Sequence, residues 1–155
     1  MPPRDTIHNT VKRAIAKDGW EITHDPYVIS YGERFLFVDL GATASSTSEQ
    51  IQGGFIGAER KGSRIAIEIK EFRGQSAVVD LEQALGQYVL YQLLLNQVDP
   101  ERELYLAITN ITYSDIFSEP IGKVVINNLP LKLLVVDLEK EEVNQWIPSQ
   151  PIEIS

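Results

Sequence analysis

The stretch Arg64–Phe72 reads RIAIEIKEF. Ile65, Ile67 and Ile69 alternate with Ala66, Glu68 and Lys70, a period of two that predicts a β-strand. The isoleucines then share the core face, and Glu68 stands beside Lys70 on the other. One reading is an ordinary ion pair on the solvent face of a half-buried strand. The other is a carboxylate and an ammonium set into a cleft. Two further acids favour the second reading. Asp39 closes the apolar strand RFLFVDL, and Glu59 lies in FIGAER, which a hairpin through Lys61-Gly62-Ser63 would lay beside Glu68. Carboxylates converging from neighbouring strands, with room for water, suit the hard cations Mg²⁺ or Mn²⁺. Such a metal activates water and stabilises a phosphoryl transition state. Lys70, two residues from a ligand, is placed to orient or deprotonate the attacking water, or to neutralise the charge that develops.

Residues 77–95, AVVDLEQALGQYVLYQLLL, form the strongest predicted helix, with Val78, Leu81, Leu85, Tyr88 and Leu95 on its periodic apolar stripe. Gln83, Gln87 and Tyr91 recur at four-residue steps on one face. Solvated helix faces usually carry Lys and Glu. This one is polar but uncharged, which suits hydrogen bonding to a phosphate, a water or a lysine, although a plain amphipathic helix would look similar. Gly86 sits mid-helix at a cost of ~1 kcal/mol relative to Ala, for which close packing on the sheet is the expected reason.

Other chemistries fit poorly. Gly57 and Gly62 imitate the spacing of a phosphate-binding loop, but Ser63-Arg64 replaces the Lys-Ser/Thr pair and a strand follows where a helix is required. No dinucleotide fingerprint or nucleophile elbow is present. His8 and His24 are the only histidines and cysteine is absent, so neither zinc nor thiolate chemistry is expected. His8, on the first helix, reads first as a partly buried neighbour of the cap and not as a base, with access to a cleft only if that helix packs near the sheet.

The elements that must position these groups can be read along the chain. A first helix runs to about Lys17, capped by Asp5 or Thr6, with Ile7, Val11, Ala14 and Ile15 buried, and Asp18-Gly19 stops it. WEITHDPYVIS is extended, with a bend at Pro26, and Tyr31-Gly32 marks a turn before RFLFVDL. The small, polar stretch 41–54 reads as a mobile loop. After the long helix come the strand ELYLAIT, a short helix over 112–118 and the covered strand LKLLVVDL. Residues 139–155 read as an acidic tail. The order predicts an α/β fold, a mixed β-sheet flanked by helices, in a single domain of 155 residues.

Charge and composition bound the partners. The chain carries −8 overall, yet residues 1–75 hold ten basic and ten acidic side chains, and residues 76–155 hold four against twelve. Phosphate contacts need Lys and Arg, so any DNA contact belongs to the first half, through Lys12, Arg13, Lys17, Arg60, Lys61 and Arg64. So modest a basic set predicts help, most simply from self-association as a two-fold dimer. Trp146, Ile147, Ile152 and Ile154 in the tail are candidates for that contact, unless the tail packs on its own domain. No apolar run approaches the ~18–20 residues of a membrane span. With no secretory leader in MPPRDTIHNT, the expected location is the cytoplasm.

Taken together, Asp39, then Glu68-Ile69-Lys70, then a helix with Gln87-x-x-x-Tyr91 resembles the PD-(D/E)XK nuclease superfamily and the Gln-x-x-x-Tyr helix of its RecB-like branch. Val38 stands where that motif has proline. More closely, KDGWEITHDPY, LFVDLGA, IAIEIKEF, LEQALGQYVLYQ, LYLAI and LKLLVVDLEKEE resemble the XisH family of fdxN-element excision controlling factors. The resemblance implies a restriction-endonuclease-like core, with 1–155 as one nuclease-like domain. Asp39 and Glu68 would be metal ligands, Lys70 the catalytic lysine, and Gln87 and Tyr91 its supporting residues. It also implies DNA as target, a small XisI-like companion and a separate recombinase. A non-catalytic regulator that docks a small partner on the same fold is the alternative.

Overall fold

The computed structural model describes residues 3–44 and 63–148, with side chains from Ile7 onward. Helix α1 (Pro3–Lys17) places Ile7, Val11, Ala14 and Ile15 on one buried stripe, as their three- and four-residue spacing requires. Gly19, at φ +94°, takes the left-handed conformation that ends the helix without a Cβ penalty. The strands β1 (Trp20–His24), β2 (Tyr27–Tyr31), β3 (Arg34–Val38), β4 (Leu40–Ala44) and β5 (Arg64–Ile69) follow. Then come α2 (Ala77–Val98), β6 (Arg102–Thr109), α3 (Asn110–Asp115) with a 3₁₀ turn over Ile116–Ser118, α4 (Pro120–Asn128), β7 (Leu133–Asp137) and β8 (Glu142–Ile147).

Six strands form a mixed sheet in the order β1-β4-β5-β6-β7-β8. The central β5, β6 and β7 are parallel, and the outer pairs are antiparallel. The central strands are covered on both faces. On one, Ile65, Ile67, Tyr105, Ala107, Leu134 and Val136 meet α1 and Trp20. On the other, Ala66, Leu104, Leu106, Ile108, Leu133 and Val135 meet Leu81, Ala84, Tyr88 and Leu95 of α2, together with Phe117. This is the α/β arrangement that the order of elements predicted.

The β2–β3 hairpin forms a separate two-stranded sheet, registered from Tyr27↔Val38 to Tyr31↔Arg34 around Gly32, whose φ is +62°. Ile29 and Val38 point into the α2-side core, and the alternate positions Val28, Phe35 and Phe37 are exposed. Thus WEITHDPYVIS is two strands in two sheets, and Asp39 is the single residue between β3 and β4.

Several segments differ from the sequence reading. Residues 40–44, taken mostly as the start of a loop, pair with β5 from Leu40↔Ile67 to Thr43↔Arg64. With β6 on its other side, β5 has both edges filled. The β5 hairpin partner expected in FIGAER is therefore replaced by β4, and FIGAER itself, Glu59 included, lies outside the described residues. The tail is also structured as far as Pro148. Trp146 packs 5.7 Å from Trp20 and 4.9 Å from Tyr105 between ring centroids, and its indole N–H donates to Asp18 at 3.0 Å. Trp146 and Ile147 therefore pack on their own sheet, and Ile152 and Ile154 lie outside the described residues.

Helix α2 begins where Ser76 Oγ accepts the Val79 N–H at 3.2 Å, and Tyr88 fastens it to the sheet by donating to the Leu104 carbonyl at 2.9 Å. Val78 and Gly86, however, lie on its exposed side. A Cβ built on Gly86 meets nothing within 4 Å, so packing on the sheet does not explain this glycine.

At the amino ends of β5 and β6 sits a polar clamp. Arg102, 6% exposed, donates to the Ile65 carbonyl at 2.9 Å and to Asp99 at 3.0 Å, and lies 4.5 Å over the Tyr27 ring. Arg64 reaches the same Asp99 at 2.9 Å. Ion pairs tie this end together, and a cleft lies at the other, the carboxyl end of β5.

Candidate active site

Three strands set the carboxylates. Because Leu40 pairs with Ile67, Asp39 falls opposite Glu68. The Asp39 N–H donates to Glu68 Oε1 at 3.3 Å, and Asp39 Oδ2 accepts the Ile69 N–H at 2.8 Å. Glu68 lies on the same face as Ala66, beneath α2, and is 8% exposed. That burial overturns the reading of a solvent face carrying an ordinary ion pair. Lys70 follows at the strand end, its backbone held by an N–H bond to the Ala107 carbonyl at 3.0 Å.

These groups line a cleft of about 720 Å³, large enough for a nucleotide-sized ligand. Asp39, Glu68, Lys70, Gln87 and Tyr91 all border it. Gln87 donates to the Tyr91 hydroxyl at 3.2 Å across one turn of α2. Gln83, a further turn away, is exposed and takes no part. The cleft opens at the carboxyl end of β5, where ligands of open α/β sheets commonly bind.

The sequence reading missed Asp25, Glu71 and Arg73, which also line the cleft. Asp25 Oδ1 lies 2.9 Å from His8 Nε2, and its Oδ2 lies 2.8 Å from Lys12 Nζ. Burial opposes the Asp25 charge, but the hydrogen bonds from Lys12 and then His8 outweigh it and hold the carboxyl below its usual range. His8 thus does face the cleft, as α1 packing on the sheet allowed. Arg73 pairs with Glu71 at 3.1 Å. Nearness to Lys70 was a signal for the last two, but nothing in the sequence joins His8 to Asp25.

Among the described residues no group of three or more His, Cys, Asp or Glu side chains could hold an ion. Two carboxylates are brought together, Asp39 and Glu68, through the Asp39 N–H on Glu68 Oε1 and the Ile69 N–H on Asp39 Oδ2. Mg²⁺ and Mn²⁺ commonly use one or two carboxylates and complete their shell with water and substrate phosphate. A backbone hydrogen bond takes one of about four lone-pair directions of a carboxylate and orients the rest. The all-oxygen pair fits such a cation and not zinc.

A family model described as XisH protein matches residues 1–144. The chain belongs to the XisH family. Two solved structures match it over most of its length. The crystal structure of an fdxN element excision controlling factor protein from Anabaena variabilis is 39% identical, with a TM-score of 0.77, over 93% of this chain and 99% of that one. An XisH family protein from Nostoc punctiforme PCC 73102 is 37% identical, with a TM-score of 0.76, over 92% and 98%. No curated protein matches. Among the described residues, no helix of this XisH chain is long and apolar enough to cross a membrane.

Proposed function

We propose that this XisH chain is a controlling factor for excision of a DNA element and acts on DNA phosphodiesters through a nuclease-type site of the PD-(D/E)XK kind. One observation carries the reading. Asp39, Glu68, Lys70, Gln87 and Tyr91, spread over three segments of the chain, border a single cleft at the end of β5. The resemblance of this fold to a restriction-endonuclease-like core belongs to the same reading.

Asp39 and Glu68 would hold Mg²⁺ or Mn²⁺, with Glu59 or the Ile69 carbonyl as a further ligand. The bound metal would supply Lewis-acid stabilisation of the phosphoryl charge. Lys70 orients the attacking water or takes its proton, and its cation offsets charge on the phosphate oxygens. Gln87 and Tyr91 position Lys70 or the phosphate from α2. DNA is the target, in the cytoplasm, with a small XisI-like companion and a recombinase as partners, and the chain self-associates.

Cleavage of labelled DNA with Mn²⁺ tests this, wild type against Lys70→Ala. Cleavage by the wild type, lost in the variant, is expected. Calorimetry should show Mn²⁺ binding that Glu68→Gln abolishes. A second reading, a non-catalytic regulator that binds a small protein, is favoured by the exposed Val28, Phe35 and Phe37, because Phe37 also borders the cleft. Wild-type protein that binds Mn²⁺ but never cuts would select it.

A further inference from the structure

We propose that Phe35 and Phe37 form a stacking platform for the bases of single-stranded DNA whose phosphodiester enters the cleft. The proposal rests on the functional reading above and names the substrate class of that site.

The first observation is alignment. Phe35 and Phe37 lie in β3, and Asp39 follows that strand directly. Side chains two residues apart on a strand share a side and stand roughly 6.8 Å apart along it. The two rings therefore follow one another towards a carboxylate of the site. Phe37 itself borders the cleft, together with Asp39, Glu68, Lys70 and Arg73. A DNA strand with one phosphodiester at Asp39 and Glu68 would carry its neighbouring bases over Phe37 and then Phe35.

The second is exposure. Phe35 and Phe37 are 66% and 57% exposed, while Ile29 and Val38 on the hairpin's other side are buried. Val28, which pairs with Phe37, is exposed on the same side as the two rings. Apolar side chains grouped in water mark a contact surface. Phenylalanine offers a flat ring face, on which any base stacks regardless of sequence.

The third is charge, which selects the occupant and its strandedness. A duplex is gripped chiefly by Lys and Arg on its phosphates. Here Lys12 is paired with Asp25, Arg13 with Glu141, Arg64 with Asp99 and Arg73 with Glu71. With those cations engaged inside the chain, phosphate contacts alone give a weak hold. Stacking supplies attraction that needs no charge, and it requires bases that are not enclosed in a duplex. The hairpin does not repel a polyanion either. From Tyr27 to Val38 its only charged residues are Glu33 and Arg34, which cancel.

Fluorescence anisotropy of a labelled oligonucleotide, single-stranded or in a blunt duplex, tests the proposal on the full chain. Ca²⁺, which also takes oxygen ligands, replaces Mn²⁺ so that binding is read apart from cutting. The single strand should bind at least roughly tenfold tighter than the duplex. Phe35→Ala and Phe37→Ala should each weaken single-strand binding roughly tenfold, with its salt dependence unchanged. Phe37→Tyr, which keeps a ring face, should bind like the wild type. Phe37→Leu, which keeps only apolar area, should not. Both positions are exposed, so circular dichroism should show an unchanged fold. A duplex bound as tightly as the single strand, or wild-type affinity in Phe37→Leu, overturns the platform and leaves the nuclease-type reading standing. Single-strand binding that needs both rings, with no cleavage in Mn²⁺, does the reverse. A wild type that binds neither DNA overturns both, and is the result expected if the rings dock a protein.

Discussion

The Asp39 N–H donates to Glu68 Oε1 at 3.3 Å, so the two acids of the cleft are joined through backbone as well as by proximity. Asp39 Oδ2 returns the contact by accepting the next N–H along, that of Ile69, at 2.8 Å. Asp39 therefore has a structural task beside any metal. Asp39→Ala should cost about 1–2 kcal/mol, for the Ile69 N–H left without its acceptor. Asp39→Asn keeps an acceptor and should cost less. Both should lose the rise in melting temperature expected of the wild type with Mn²⁺ if the proposed metal site holds. Melting curves with and without Mn²⁺ check this, and an undiminished Mn²⁺ shift in Asp39→Asn would remove Asp39 from the metal site.

Tyr91→Phe removes the hydroxyl that Gln87 contacts and leaves the ring in place. Stability should stay within about 0.5 kcal/mol, because the side chain is only half-buried. Mn²⁺-dependent cleavage should fall roughly tenfold or more if the pair positions Lys70. Gln83→Ala, one turn outside the cleft, should leave the rate unchanged.

The Asp99 clamp predicts an acid-sensitive contribution to stability. Burial disfavours its carboxylate, but the Arg102 hydrogen bond, then Arg64 and Tyr27, outweigh that and hold it below the usual range. A depressed carboxyl stabilises the fold above its unfolded value of about 4, and the contribution is lost as pH falls through the lower folded value. Asp99→Ala would leave the buried Arg102 without its carboxylate and should cost about 3 kcal/mol at neutral pH. Urea midpoints for the two proteins should converge as the solution is acidified below about pH 4. Parallel pH profiles would refute the linkage.

Glu141 provides a second window. The Arg13 hydrogen bond, helped by Thr10, holds its carboxyl down at about 2, and Arg13 reaches it at 2.6 Å. Its contribution should be complete above about pH 4.5 and vanish as pH falls towards about 2. Glu141→Gln should flatten that part of the acid-unfolding curve, and an unaltered acid limb would count against the pairing.

A chain ending at Glu141 would lack β8 and with it Trp146, so it should lose cooperative unfolding and not merely a subunit contact. Trp146→Ala alone should cost about 2–3 kcal/mol, below the full range for a buried Trp because this one is half-buried. Denaturant titration of both proteins decides between the packed strand and a dispensable tail.

The parts legible in the sequence were those with strong local periodicity. The stripe of α1, the strands β5, β6 and β7 and the span of α2 all follow from spacing. That Glu68, Lys70, Gln87 and Tyr91 border one cleft follows from their places on or just after β5 and on α2, and Asp39 joins them from the junction of β3 and β4. The edge strands were not. Leu40–Ala44 is LGATA, small residues whose strand character comes only from pairing with β5. Glu142–Ile147 is EVNQWI, exposed along much of its length and defined by β7. Helix α4 was missed because Gly122 and its β-branched residues are weak helix formers, and Pro120 is favourable only once the start is known. Asp25 joined the cleft through α1, a contact across the fold that carries no sequence spacing.

The packing of α1 against the far edge of the sheet also sets a timetable. Arg13 and its partner Glu141 are 128 residues apart, and Trp146 lies later still. At a translation rate of about 5–20 residues per second, roughly 6–25 seconds separate the synthesis of the two residues. Over that interval β1, β4 and β5 are made in turn and offer Trp20, Leu40, Ile65 and Ile67 to the stripe of Ile7, Val11, Ala14 and Ile15, but the β7 and β8 side of the same core is still missing. The growing polypeptide cannot finish the packing of its amino end first. Its first-made element is among the last to be fully enclosed.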